Sequence, residues 1–177
     1  TLNGEGLQHE DGHSHIQAGL VPNCVTYDPT FSYEVAVILQ DGLRRMYREQ
    51  EDVFYYLTLL NENYEHPALP EGAEQDILKG MYLFRKGPAG NGPRVQLLGS
   101  GAILREVIAA AELLKQDWGV EADLWSCPSF TQLARDDVVV APVGVHVGHD
   151  DEIEHLEQVT QIAVEQRACQ LEQRFTT

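Results

Sequence analysis

The chain has 177 residues, enough for one domain with a sizeable core or for parts of two, and 43% of them are hydrophobic. Its formal charge of −16, with lysine only at 79, 86 and 115, argues against sequence-independent attraction to nucleic acid or to an anionic membrane. No run approaches the ~18 apolar residues of a membrane span, and Cys24, Cys127 and Cys169 lie far apart with no CxxC, which fits reduced thiols and a soluble, cytoplasmic protein.

The chain opens without an initiator methionine, so a partial chain is expected. Glycines at 4, 6 and 12 surround His9-Glu10-Asp11-Gly12-His13-Ser14-His15, which gathers three imidazoles and two carboxylates in seven consecutive positions. A loop on a rigid support is the expected setting, and an extended backbone would bring Asp11, His13 and His15 to one side. Three uses stay open: an acid–base site whose carboxylate orients an imidazole, an exposed polar turn, or a metal site fed by His13 and His15. The last lacks a third ligand at a diagnostic spacing.

Residues 20–27 read as a short strand, ended by Asp28-Pro29-Thr30, which also opens the next helix. Apolar residues at Val35, Ile38, Leu39, Leu43, Met46 and Tyr47 predict a helix over 32–48 with one buried stripe. Residues 53–60 (VFYYLTLL) are the strongest strand signal and suggest a central, parallel strand covered on both faces. Ligands of open parallel sheets lie beyond strand C-termini, which singles out Asn61, Glu62, Asn63, Tyr64 and His66 as substrate-loop candidates.

A short helix over 73–79 and a strand over 81–85 follow, then the linker 87–93, rich in glycine and proline, where a domain boundary is expected. A βαβ unit comes next: strand 95–98, the Gly99-Ser100-Gly101 turn, helix 103–116 and strand 121–126. The turn lacks a full phosphate-binding pattern and reads mainly as a strand-to-helix connection. Residues 138–145 read as a strand and turn, and Ile153, Leu156, Val159, Ile162 and Ala163 as one face of a final helix. The fold class is therefore α/β, with mostly parallel sheet layers and flanking helices.

Residues 1–16 (TLNGEGLQHEDGHSHI), 34–41 (EVAVILQD), 58–72 (TLLNENYEHPALPEG), 95–106 (VQLLGSGAILRE) and 129–136 (SFTQLARD) occur in an order that resembles the homodimeric bacterial E1 component of pyruvate dehydrogenase. The resemblance covers about residues 1–136. It implies an incomplete transketolase-like fold: 1–86 as the later half of the pyrimidine-binding domain, 94–136 as the start of the C-terminal domain, and 137–177 as an unassigned tail. It further implies thiamine diphosphate and Mg2+ as cofactors, pyruvate as substrate, and a second E1 subunit and a lipoyl-bearing E2 acetyltransferase as partners. His15 and His13 would meet substrate and intermediates, with Asp11 positioning them and Glu10 and His9 nearer the cofactor. The Gly-Asp-Gly motif that holds pyrophosphate and magnesium in that family is absent from the sequence. The isolated chain is accordingly expected to be inactive. Two alternatives remain: a catalytically incomplete packing or partner-binding module, and a small metal-dependent hydrolase.

Overall fold

A computed structural model describes residues 12–60, 62–90 and 92–140, with side chains as far as 136. The elements are α1 (Ser14–Gly19), β1 (Cys24–Tyr27), α2 (Ser32–Leu43) extended by a π-helical turn (Arg44–Arg48), β2 (Phe54–Leu57), α3 (Glu74–Leu78), β3 (Tyr82–Arg85), β4 (Arg94–Gly99), α4 (Ile103–Trp118), β5 (Glu121–Ser126) and α5 (Phe130–Val140). Two βαβ units organise them. In the first, α2 carries the chain from β1 to a parallel β2, with Cys24 opposite Phe54 and Tyr27 opposite Leu57. In the second, α4 connects β4 to a parallel β5, from Arg94 opposite Glu121 to Gly99 opposite Ser126.

The expectation of mostly parallel layers is corrected by β3. The larger sheet has the order β3-β5-β4 and is mixed, because β3 runs antiparallel to β5, with a register shift between Leu83 and Arg85. The cause lies in the stretch 86–93. Its described residues hold no helix, and a parallel return needs a crossover of about a dozen residues or more, so β4 sets off opposite in direction to β3.

Two further expectations change. Residues 53–60 form only the four-residue β2, whose sole neighbour among the described residues is β1, and Phe54 is 47% exposed. Its aromatic run is amphipathic rather than buried on both faces, since the Tyr55 hydroxyl donates to Asp41 at 2.9 Å. The central, deeply buried strand is β5. Val138–Val140 close α5 and form no strand; a short apolar run carries no period that separates the two states. The final helix expected around 153–163 lies outside the described residues.

The core explains why these elements hold. Ile38 of α2 and Ile77 of α3 are fully buried against Val25, Tyr27 and Tyr82, and each such side chain contributes about 1.5–3 kcal/mol. Trp125, Cys127, Met81 and Leu133 form a second cluster, and Leu124, Ala122 and Ala111 a third beneath α4. Gly119, at φ 63°, ends α4 in the left-handed conformation that glycine adopts without strain.

One charged residue belongs to this core. Glu34, in the first turn of α2, is fully buried. Its Oε2 accepts the N–H groups of Thr30 (2.5 Å) and Phe31 (2.9 Å), and its Oε1 accepts the hydroxyls of Tyr82 (2.7 Å) and Ser126 (2.6 Å). The carboxylate thus satisfies the start of its own helix while tying the β1–α2 connection to β3 and β5. Burial, and then the neighbouring Glu34, raise the Tyr82 hydroxyl far above the ordinary phenol range, which keeps its proton available for that bond.

Candidate functional site

The C-terminal ends of β1, β2, β4 and β5 converge. The sheets meet there end to end: the Asp28 N–H donates to the Pro128 carbonyl at 2.7 Å and the Gly101 N–H to the Asp28 carbonyl at 3.0 Å, while the Cys127 N–H, donating to the Gly99 carbonyl at 2.8 Å, continues the pairing of β5 with β4. Beside this junction lies a hollow of about 440 Å³, whose polar lining includes His15, Thr26, Asp28, Ser100, Ser129 and Thr131.

His15 reaches the hollow from the first turn of α1. Its Nε2 lies 3.0 Å from the Thr58 hydroxyl, which in turn donates to Asp28 Oδ1. The second carboxylate oxygen accepts from Ser100 Oγ at 3.2 Å. The Tyr56 ring stands edge-on to the imidazole, 5.3 Å away. Three residues distant in sequence are therefore linked as imidazole, hydroxyl and carboxylate, an arrangement able to orient a proton carrier.

The opposite wall is made of hydroxyls. Ser129 caps α5, accepting the Gln132 N–H at 3.1 Å, and donates to the Thr26 carbonyl at 2.6 Å. Thr26 and Thr131 share a hydrogen bond of 2.6 Å.

Comparison with known proteins assigns this arrangement to a family. A model described as the pyruvate dehydrogenase E1 component middle domain matches residues 1–67, and one described as the transketolase-like C-terminal domain matches residues 80–176. The chain belongs to the pyruvate dehydrogenase E1 component family. Among curated relatives, the pyruvate dehydrogenase E1 component of Cupriavidus necator is 74% identical over 137 residues, covering 77% of this chain. Those of Escherichia coli K12 and Pseudomonas aeruginosa are 63% and 60% identical over 137 and 140 residues, covering 77% and 79% of it. The chain spans about 15% of the length of the first of these relatives and 16% of the last.

Within this E1 family segment, the residues expected at the site separate. His15 borders the hollow; His13 is exposed and precedes α1 as its N-cap residue, without a side-chain capping bond. The two do not share a side through extended backbone, because residues 14–19 are helical. Asp11, Glu10, His9 and Asn61 lie outside the described residues.

The substrate-loop candidates form a separate group. The rings of Tyr64 and His66 stack at 4.7 Å, and the Arg105 guanidinium covers Tyr64 at 4.4 Å while pairing with Glu62 at 3.0 Å. His66 Nδ1 accepts the Ser32 N–H at 3.1 Å, and the Tyr64 hydroxyl donates to the Thr30 carbonyl. Burial raises the Tyr64 hydroxyl above the ordinary phenol range, and Arg105 opposes the shift. Asn63 is exposed. This group clasps the starts of α2 and α4 and does not line the hollow.

Asp28, Thr58 and Ser100 were not singled out by their sequence. Asp28 precedes a proline and reads as a turn, Thr58 sits inside an apolar run, and Ser100 occupies an ordinary strand-to-helix turn. The usable signal was position, since each closes or follows a strand of a parallel pair. Among the described residues, no three His, Cys, Asp or Glu side chains gather as a metal site.

Proposed function

We propose that this chain is part of an E1 enzyme that decarboxylates pyruvate with thiamine diphosphate and Mg2+ and passes the acetyl unit to the lipoyl group of an E2 acetyltransferase, working as a dimer with a second E1 subunit. The observation that carries this reading is the 74% identity over 137 residues to a pyruvate dehydrogenase E1 component, joined to an imidazole on a hollow at converging strand ends.

The described residues do not fit the pyrophosphate and metal end of the cofactor. They gather no three-ligand carboxylate, thiol or imidazole group, and the sequence holds no Gly-Asp-Gly. What these residues offer is proton handling: an imidazole at position 15 can pass a proton through either ring nitrogen and, when charged, can attract the carboxylate of a keto acid. His13, Asp11, Glu10 and His9 would complete the rim. Leu98, Ile103 and Phe130 supply the hollow's apolar side.

The division into a pyrimidine-binding half and a C-terminal domain is part of the same proposal. The sequence sets that division at the linker 87–93; the start of the second family match at residue 80, and the sheet that β3 shares with β4 and β5, favour moving it earlier, before β3. No helix among the described residues is long and apolar enough to cross a membrane, and the charge of −16 disfavours nucleic acid as a partner.

The test is a transplant. Residues 1–136 replace the matching segment of the Cupriavidus necator relative, and pyruvate-dependent acetylation of a lipoyl domain is measured. A folded dimeric chimera that acetylates supports the reading; a folded dimer without activity refutes it. Alone, the 177-residue chain is expected not to bind thiamine diphosphate saturably at micromolar concentration, as titration calorimetry with magnesium would check.

A further inference from the structure

We infer that Asp28, acting through the Thr58 hydroxyl, is a positioning residue that fixes the His15 ring in its Nε2–H tautomer and leaves Nδ1 as the nitrogen able to take up a proton. The argument is a count of hydrogens. A threonine hydroxyl carries one hydrogen, and an ionised carboxylate can only accept. The Thr58 hydrogen is committed to Asp28 Oδ1, so the Thr58 oxygen meets His15 Nε2, 3.0 Å away, as an acceptor. The ring nitrogen on that side must then carry its hydrogen.

Asp28 is held so that it cannot release the hydroxyl. Ser100 Oγ donates to its other oxygen at 3.2 Å, while its own N–H and carbonyl are bound to Pro128 and Gly101 across the sheet junction. A Cβ built on Gly101 would overlap the Asp28 carboxylate, so the glycine makes room for it. The edge-on Tyr56 ring limits rotation of the imidazole. The second nitrogen of a histidine is commonly tuned in this way, by what its first nitrogen bonds.

The inference deepens the proposed function and rests on that reading only for the claim that His15 meets a substrate proton. The tautomer itself is read without substrate. Long-range 15N–1H correlation spectra of the full 177-residue chain, taken at a pH where the ring is neutral, report which nitrogen is protonated. The unaltered chain is expected to show His15 with a protonated Nε2 and an unprotonated Nδ1, two well-separated nitrogen signals. Thr58→Ser keeps the hydroxyl and should keep that pattern. Thr58→Val should move the two signals toward each other as the bias is lost. Asp28→Ala frees the hydroxyl hydrogen and should do the same, which guards against a Thr58→Val chain that fails to fold.

A protonated Nδ1 in the unaltered chain overturns the inference. So does an unchanged pattern in folded Thr58→Val or Asp28→Ala. An inactive chimera would remove the enzyme reading and leave this result standing.

Discussion

Replacing Glu34 tests whether the buried carboxylate ties the two halves of the structure together. Its four acceptor bonds differ in what they can tolerate. The Thr30 and Phe31 N–H groups at Oε2 can only donate, whereas the Tyr82 and Ser126 hydroxyls at Oε1 can turn round and accept. In Glu34→Gln the carbonyl oxygen should stay on the backbone pair and the amide should face the hydroxyls. Tyr82 can redirect its hydrogen to Tyr33, whose hydroxyl is 2.5 Å away. What is lost is chiefly charge assistance, about 1–2 kcal/mol. Glu34→Ala strands two buried N–H groups at about 1–3 kcal/mol each and leaves a void, for a total of about 3–5 kcal/mol. Urea unfolding followed by Trp125 fluorescence measures both losses, since Trp125 is fully buried while Trp118 is 77% exposed. If the glutamine variant is as damaged as the alanine variant, or alanine costs less than about 1 kcal/mol, the carboxylate is not the tie described here.

Other expectations follow from single features. In the chimera, His15→Ala should lower acetylation of the lipoyl domain by about 100-fold or more while leaving the urea midpoint nearly unchanged; an equal loss of folding would make His15 a structural residue. Gly101→Ala asks a residue with a Cβ to hold φ 49° against the Asp28 carboxylate, and should cost about 2 kcal/mol or more in urea unfolding. Burial, assisted by Glu34, pushes the Cys127 thiol from its ordinary 9.0 up to about 12. Native-state alkylation at pH 8, mapped by peptide mass, should therefore spare Cys127, and rapid labelling there would contradict its burial. The sign of the linked stability is also set: the folded state binds this proton more tightly, so stability is full below pH 9 and falls as pH rises toward 12. A Cys127→Ala chain should lose less stability over that interval.

The parts of the fold that were legible are those where burial follows a period. The inner face of α4 could be read in this way, with Leu104 and Ala111 buried; in α2 the helix was legible but its stripe was not, since of the residues expected there Ile38 is buried while Leu39, Leu43 and Tyr47 are exposed and Glu34 and Gly42 turn inward. Directions and neighbours were not readable that way. β3 carries the same apolar signal whichever way it runs, and its antiparallel course follows from the short stretch 86–93, whose described residues hold no helix. The tyrosines of β2 resemble a covered strand until Tyr55 is seen bonding Asp41 across to α2. At the site, the density of imidazoles drew attention to His15, whose ring lies beside the converging strand ends; the strand-end rule itself singled out the residues after β2, of which Glu62, Tyr64 and His66 clasp the starts of α2 and α4. Thr58 is 43 residues from His15 and 30 from Asp28, and each of the three has a plausible local role of its own. The parallel pairing of β1 with β2 brings Thr58 to Asp28, and the packing of α1 on β1 brings His15 to both.

The same separation explains how one connection carries two carboxylates with different duties. Asp28 and Glu34 flank the turn between β1 and α2. Glu34 points from the helix into the core, where both oxygens are saturated by four donors, two of them immovable backbone groups. It has no capacity left for a ligand and acts on the hollow only by holding Thr30 and Phe31 in place. Asp28 leaves the end of a strand and accepts from two side-chain hydroxyls, those of Thr58 and Ser100. Its carboxylate orients side chains beside the hollow, whereas half of the bonds to Glu34 hold backbone. Changes at Glu34 should therefore appear first as lost stability, with any effect on His15 following from it. Changes at Asp28 should appear as an altered His15 ring in a chain that still unfolds near its original midpoint. Measuring both properties in both variants separates the two roles, because a single shared structural role would make stability and ring state move together.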